Sequence, residues 1–186
     1  MTQTADTRLT WSRELLDEIG PVWHHLTLPL HVPARVAALL HRETLRFVDS
    51  KIDVDRDLTG HGQVIVWTDR HVAVIQLSKV GLDDPVDSRP PAEKYGCADV
   101  TVTVLPRSAL RKVAIEGPAP AVREVSINSG SVWHGTPGGT DRSWPPLGQL
   151  TLYYEGLDGR LLVPANGRAS AGFDVLVDEL MSDLPS

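Results

Sequence analysis

GQLTLYYEGLDGRLLVPANGRASAGFDVLVDELMSDL, residues 148–184, is the stretch whose reading decides the fold. Gln149 to Glu155 is rich in β-branched, leucine and aromatic residues and predicts a strand. Leu157-Asp158-Gly159 supplies a tight turn, and Arg160 to Val163 a second strand. From Ser170 the period changes. Phe173, Leu176, Val177, Leu180 and Leu184 fall at i, i+3, i+4, i+7 and i+11, one apolar stripe of an amphipathic helix. Asp174, Asp178, Glu179 and Asp183 take the other side and are expected to form a solvated acidic surface. Such a stripe needs an apolar surface to cover, so the segments upstream decide what this helix packs on.

Those segments are mostly strands. Gln63 to Trp67 is followed by the short turn Thr68-Asp69-Arg70 and by His71 to Ser78, which predicts a hairpin. Asp99 to Leu105 alternates Val100, Val102 and Val104 with Thr101 and Thr103, so one face is buried and one wet. Arg111 to Glu116 and Val122 to Asn128 continue the pattern after Pro106-Arg107-Ser108 and Gly117-Pro118-Ala119-Pro120. With the final hairpin the count is seven strands and then a helix. A sheet of that size curls into a partly open barrel or sandwich, and the helix is the element available to cap an open end. Residues 81–98 and 129–147 are long connections, the second carrying Trp133, His134 and Trp144.

The first 58 residues read differently. Residues 1–8 are polar and expected to fray. Trp11, Leu15, Leu16 and Ile19 form a helical stripe ended by Gly20-Pro21. Pro33 opens a second helix in which Val36, Leu39, Leu40, Phe47 and Val48 share a side up to about Lys51. The expected architecture is α+β: a helical N-terminal appendage over 1–58 and, over 59–186, a seven-stranded antiparallel barrel capped by its C-terminal helix.

Three local stretches carry a family resemblance. Val66-Trp67-Thr68-Asp69-Arg70-His71-Val72 is similar to the Thr-Asp/Asn-Arg-Arg turn in an early hairpin of the bacterial pleckstrin-homology-like (PH-like) domains, with His71 in place of the second arginine. Leu105-Pro106-Arg107-Ser108-Ala109-Leu110-Arg111-Lys112-Val113 resembles their Ile-Pro-x-x-x-Ile-x-x-Val connection. Leu152 to Leu180, with Asp158-Gly159 at the turn, resembles their final hairpin and helix. The resemblance covers about residues 62–184. It implies a scaffold that binds proteins, peptides or sometimes lipids and often self-associates. Phosphoinositide-binding members use a basic cluster in an early loop. Here that position offers Arg70 and His71, and the next loop is acidic at Asp83, Asp84 and Asp87, which disfavours that subtype.

Composition limits the partners. The chain of 186 residues carries 24 acidic and 18 basic side chains, a net charge of -6, and only four of the basic ones are lysines. Nucleic acid and anionic lipid both demand a dense basic face, so neither is expected as a partner, and no stable membrane association is expected. No run approaches the roughly 18 apolar residues of a membrane span, and the polar start shows no secretory pattern. Cys97 is the one cysteine, which excludes an internal disulfide. A cytoplasmic protein is the expectation.

Metal and catalytic patterns are weak. Asp53-Val54-Asp55-Arg56-Asp57 resembles the start of a calcium loop, but the sixth and twelfth positions, Leu58 and Val64, should be glycine and glutamate; the pattern is read as a solvated acidic turn. His24, His25, His31, His41 and Glu43 include zinc-ligand types, yet on one helix His41 and Glu43 point roughly 200° apart. No nucleophile elbow, phosphate loop or dinucleotide fingerprint is present, and Gly135-Thr136-Pro137-Gly138-Gly139 is read as a turn. No catalytic residue, metal or cofactor is therefore assigned.

Five tryptophans among so few aromatics draw attention to contact surfaces. Trp67 is expected in the core, and Trp11 and Trp23 in the appendage. Candidate binding residues are Trp133, His134 and Trp144 in the second long loop, with Arg70 and His71 in the hairpin turn. The leading expectation is a noncatalytic binding or scaffold module that acts through a protein partner or a homo-oligomer. The second is a small-molecule-binding or hydrolytic barrel with a pocket near the 129–147 loop.

Overall fold

Val64, Ile65, Val66 and Trp67 are all fully buried, and so are Val72, Ala73 and Ile75 across the hairpin. A strand that alternates apolar with polar residues has one wet face; a continuous apolar run is withdrawn from water on both. These residues form the centre of a four-stranded antiparallel sheet in the computed structural model, which describes residues 2–84, 99–116, 149–165 and 172–185. Its strands are β1 (Leu45–Val54), β2 (Thr59–Thr68), β3 (His71–Gly81) and β4 (Asp99–Pro106), paired in chain order. The hairpin at Thr68-Asp69-Arg70 closes on the register Trp67↔Val72 and Val66↔Ala73.

On one face Val64, Val66, Ala73, Ile75 and Leu77 share a core with two helices, α1 (Thr2–Ile19) and α2 (His31–Leu40). Trp11 and Leu15 come from α1, Val32, Val36, Ala37 and Leu40 from α2, and Leu26 and Leu28 from the segment between them. Val100, Val102 and Val104 of β4 are half-buried against the same core, in agreement with their alternation. The N-terminal helices thus belong to the core of this sheet. Burying a leucine such as Leu15 contributes about 2 kcal/mol relative to leaving it exposed.

Two expectations for this segment are corrected. Helix α1 begins at Thr2, within residues expected to fray, and ends where expected: Gly20 has a φ of 69° and donates its N–H to Leu16 O at 3.0 Å. The second helix stops at Leu40 and does not continue to Lys51. Phe47 and Val48 lie in β1, where Phe47 pairs with Trp67 and Val48 with Val66. Adjacent apolar residues fit a helical stripe by spacing, but they point to opposite faces of a strand. Here Val48 packs on the helix core, and Phe47 meets the Trp67 ring edge to face at 5.7 Å. A helix continuing through residues 45–51 would also forfeit the backbone ladder that β1 makes with β2.

The chain divides into two compact units, Met1–Pro106 and Arg107–Ser186. The second opens with a 3₁₀ turn, Arg107–Ala109, and its described residues form three antiparallel strands: β5 (Leu110–Glu116), β6 (Gln149–Tyr154) and β7 (Leu161–Val163), in that order in the sheet. Helix α3 (Phe173–Asp183) follows and lies against β5. Phe173, Leu176 and Leu180 of the expected stripe are buried, as are Leu150, Leu152, Leu161 and Val163. Gly172, with a φ of 84°, starts the helix later than the expected Ser170.

The described residues therefore form an α+β protein with seven antiparallel strands in two sheets and three α-helices. The count matches the expected seven, but the membership does not. Leu45–Val54 is a strand that was expected to be partly helical, and Val122 to Asn128 lies outside the described residues. Among the described residues no helix is long and apolar enough to cross a membrane.

One further correction concerns the acidic side of α3. Glu179 and Asp183, expected to be solvated, both hold Arg107: Nη1 donates to Glu179 Oε2 at 2.7 Å and Nε to Asp183 Oδ2 at 2.8 Å. Arg107 is only 9% exposed. Burial lowers its proton affinity, but the two carboxylates outweigh that and raise it. The clamp ties the end of α3 to the start of β5. Asp178, by contrast, is exposed.

Candidate functional site

Leu40 ends α2, and the turn at 41–44 must reverse the chain into β1. His41 closes the helix with its N–H on Ala37 O at 3.2 Å, and Glu43 N–H follows on Leu40 O at 2.9 Å. This turn presents the Glu43 carboxylate to the β2–β3 hairpin. Thr68 Oγ1 donates to Glu43 Oε2 at 2.5 Å, and His71 Nδ1 lies 2.7 Å from Oε1. The backbone N–H of Arg70 adds a third donor. Thr68 itself is fully buried, and its Oγ1 also receives the His71 N–H at 3.0 Å. The opposite edge of the turn is fixed as well, since Trp11 Nε1 donates to Glu43 O at 2.9 Å.

Burial raises the Glu43 pKa, but hydrogen bonds from Thr68 and His71, and the charge of His71, outweigh it and hold the carboxyl below its ordinary value. Beside it, Asp69 Oδ1 accepts from Arg46 Nε at 2.6 Å and Asp69 Oδ2 from Thr44 N–H at 3.3 Å. The hydrogen bond and charge of Arg46 keep Asp69 low also. Hairpin turn, helix turn and α1 are thereby tied into one hydrogen-bonded frame.

An open groove of about 620 Å³ runs along that frame. Helix α1 lines it with Thr7, Thr10, Trp11, Glu14 and Glu18, and the turn with His41, Glu43, Thr44 and Leu45. Its size falls within the usual range for ligand sites. Its lining is mostly polar, with Glu14 and Glu18 on α1 acidic and exposed.

Of the residues singled out in the sequence, His71 and Arg70 sit at this frame. His71 orients on Glu43 with about a third of its side chain exposed, and the Arg70 side chain is exposed. Trp133, His134 and Trp144 lie outside the described residues, as do Cys97 and Gly135 to Gly139. Trp67 is in the core as expected; Trp11, expected in an appendage, is buried at 5% exposure, whereas Trp23 is half exposed.

The histidines are dispersed. His25 Nε2 is 3.3 Å from Asp84 Oδ1, and His31 is held below its ordinary pKa, chiefly by burial and then by Arg35. His41 and Glu43 are not on one helix at all. Among the described residues no three metal-ligating side chains gather. Asp55 and Asp57 serve the β1–β2 turn: Asp57 Oδ1 accepts from Thr59 N–H at 3.3 Å and Oγ1 at 2.8 Å, and Asp55 Oδ2 is 3.4 Å from His61 Nδ1.

Glu43 is the residue that sequence reasoning weighed for the wrong role. Its neighbours predict a helix, and nothing local relates it to residues 25 to 28 positions away. Among the described residues the frame offers an engaged carboxylate, a buried threonine hydroxyl already hydrogen-bonded, and a groove with exposed acidic groups on α1. No family model, curated protein or solved structure matches the chain.

Proposed function

We propose that the chain is a noncatalytic binding or scaffold module of the bacterial PH-like type, working in the cytoplasm through a protein partner or self-association. The observation that carries this reading is the order of the described elements after α1 and α2: four antiparallel strands paired in chain order, three antiparallel strands paired in chain order, then an amphipathic helix. That order supports the reading, because the resemblance implies seven antiparallel strands in two sheets followed by a helix. Thr68-Asp69-Arg70-His71 closes a hairpin, and Leu105 to Val113 joins the two sheets through the Arg107 turn. The reading includes the partly open barrel with a capping helix that the resemblance implies. The groove beside α1 supports a binding role, because its frame is hydrogen-bonded and the Glu14 and Glu18 side chains along it are exposed.

Two measurements on the full chain test this. Sedimentation velocity over a wide concentration range, combined with quantitative cross-linking in cells, is expected to give either reversible self-association or one partner in stoichiometric yield. A chain that stays monomeric and cross-links to nothing in stoichiometric amount overturns the binding reading. A crystal structure in which the two sheets do not face each other across a common interior overturns the PH-like one.

A further inference from the structure

Glu14 and Glu18 stand one turn apart on α1, both exposed and both lining the groove. Among the described residues neither makes an ion pair or hydrogen bond. Like charges at i and i+4 repel along a helix, so a cation placed between them relieves a cost that the free protein carries. The half-buried Leu45 also lines the groove and offers apolar surface suited to the aliphatic stem of a long basic side chain whose charged end meets a carboxylate.

The dimensions select a shape for the occupant. From Thr7 to Glu18 the wall is about 16 Å long at 1.5 Å per residue, the length of roughly five residues of extended chain. Side chains at i and i+4 of a helix have Cβ atoms about 5–6 Å apart. Alternate side chains of an extended peptide, which point the same way, are about 6.6 Å apart. Two basic residues separated by one other therefore match Glu14 and Glu18, whereas two adjacent ones point to opposite sides.

We propose that this groove docks an extended basic segment of another protein, with arginine or lysine at alternate positions over Glu14 and Glu18. The inference rests on the binding-module reading and names the class of its partner. A second copy of this chain fits poorly, since each copy carries a net charge of -6.

The test uses the full chain and a fluorescein-labelled peptide, Gly-Leu-Arg-Val-Arg-Leu-Gly, read by fluorescence anisotropy at low and moderate salt. Its isomer Gly-Leu-Val-Arg-Arg-Leu-Gly controls for spacing. The double variant Glu14→Gln with Glu18→Gln keeps side-chain size and helix preference. A charge-matched variant, Asp17→Asn with Asp53→Asn, alters two exposed carboxylates that do not line the groove. The expected result is binding of the alternating peptide, weakened about tenfold by the groove variant and less than about twofold by the control, and severalfold weaker binding of the isomer. Equal loss in both variants, equal affinity for both peptides, or no binding overturns the proposal. So does spermidine binding as tightly as the peptide with the same dependence on Glu14 and Glu18, which would assign the groove to free polyamines. Self-association or partner capture that survives the groove variant, with the peptide arms negative, removes this inference alone. Loss of association in the unaltered chain removes the module reading as well.

Discussion

Replacing Glu43 is expected to destabilise the first unit in a pH-dependent way. Its carboxylate receives Thr68 Oγ1 at 2.5 Å and His71 Nδ1 at 2.7 Å, and its side chain is 17% exposed. Hydrogen bonds to a charged group contribute about 1.5–3 kcal/mol each. His71 is about a third exposed and regains water when its partner is lost, so the two do not sum. For Glu43→Ala, which removes the charged acceptor shared by Thr68 and His71 and leaves the buried Thr68 hydroxyl to His71 O at 3.0 Å, a loss of about 3 kcal/mol is expected. Glu43→Gln keeps one acceptor oxygen and turns an amide toward the other donor, for a loss of about 2 kcal/mol.

The sign of the pH dependence follows from the depressed carboxyl. A group whose pKa is lower folded than unfolded contributes its full stability above the unfolded value and loses it as pH falls through the folded one. The ordinary value is 4.5. The gap between the unaltered chain and Glu43→Gln is therefore present above the ordinary value and closes as pH falls below it. Urea unfolding of both proteins at a series of pH values, followed by tryptophan fluorescence, measures that gap directly. A difference below about 0.5 kcal/mol at pH 7, or one that persists unchanged in acid, refutes the assignment of Glu43 as the anchor of this frame.

Three other outcomes follow from packing. Leu15→Ala, at a fully buried position of α1, is expected to cost about 2–5 kcal/mol in urea unfolding, as a core residue does and an appendage residue does not. Gly62 has a φ of 143°, and a Cβ there would meet Lys51 O at 2.1 Å; Gly62→Ala should cost more than about 2 kcal/mol, and tolerance of it by thermal unfolding counts against the β1–β2 register. Arg107→Ala leaves Glu179 and Asp183 without their cation, with an expected loss of about 3 kcal/mol and faster amide exchange across α3, which Arg107→Lys restores only in part because the two-pronged contact is lost.

Where sequence and structure parted, the cause was the same each time. Phe47 and Val48 satisfied a helical stripe that local spacing could not distinguish from two faces of a strand. Glu179 and Asp183 looked like surface because their partner, Arg107, lies more than 70 residues away. Trp11 looked peripheral because the sheet it packs on had not yet begun. The Thr68-Asp69-Arg70 turn was legible because a hairpin is made by neighbours in sequence.

By itself the sequence determined the elements whose signals are local: the end of α1 at Gly20, both hairpins, the alternation of β4, and the buried stripe of α3. Periodicity and turn chemistry act over a few residues and need no partner to be read. The tertiary structure alone decided that residues 45–54 form a strand, that α1 and α2 share the core of the first sheet, and that Glu43 meets Thr68 and His71. Backbone pairing, burial and charge contacts there join residues far apart in the chain, and their free energy exists only once the chain has brought them together.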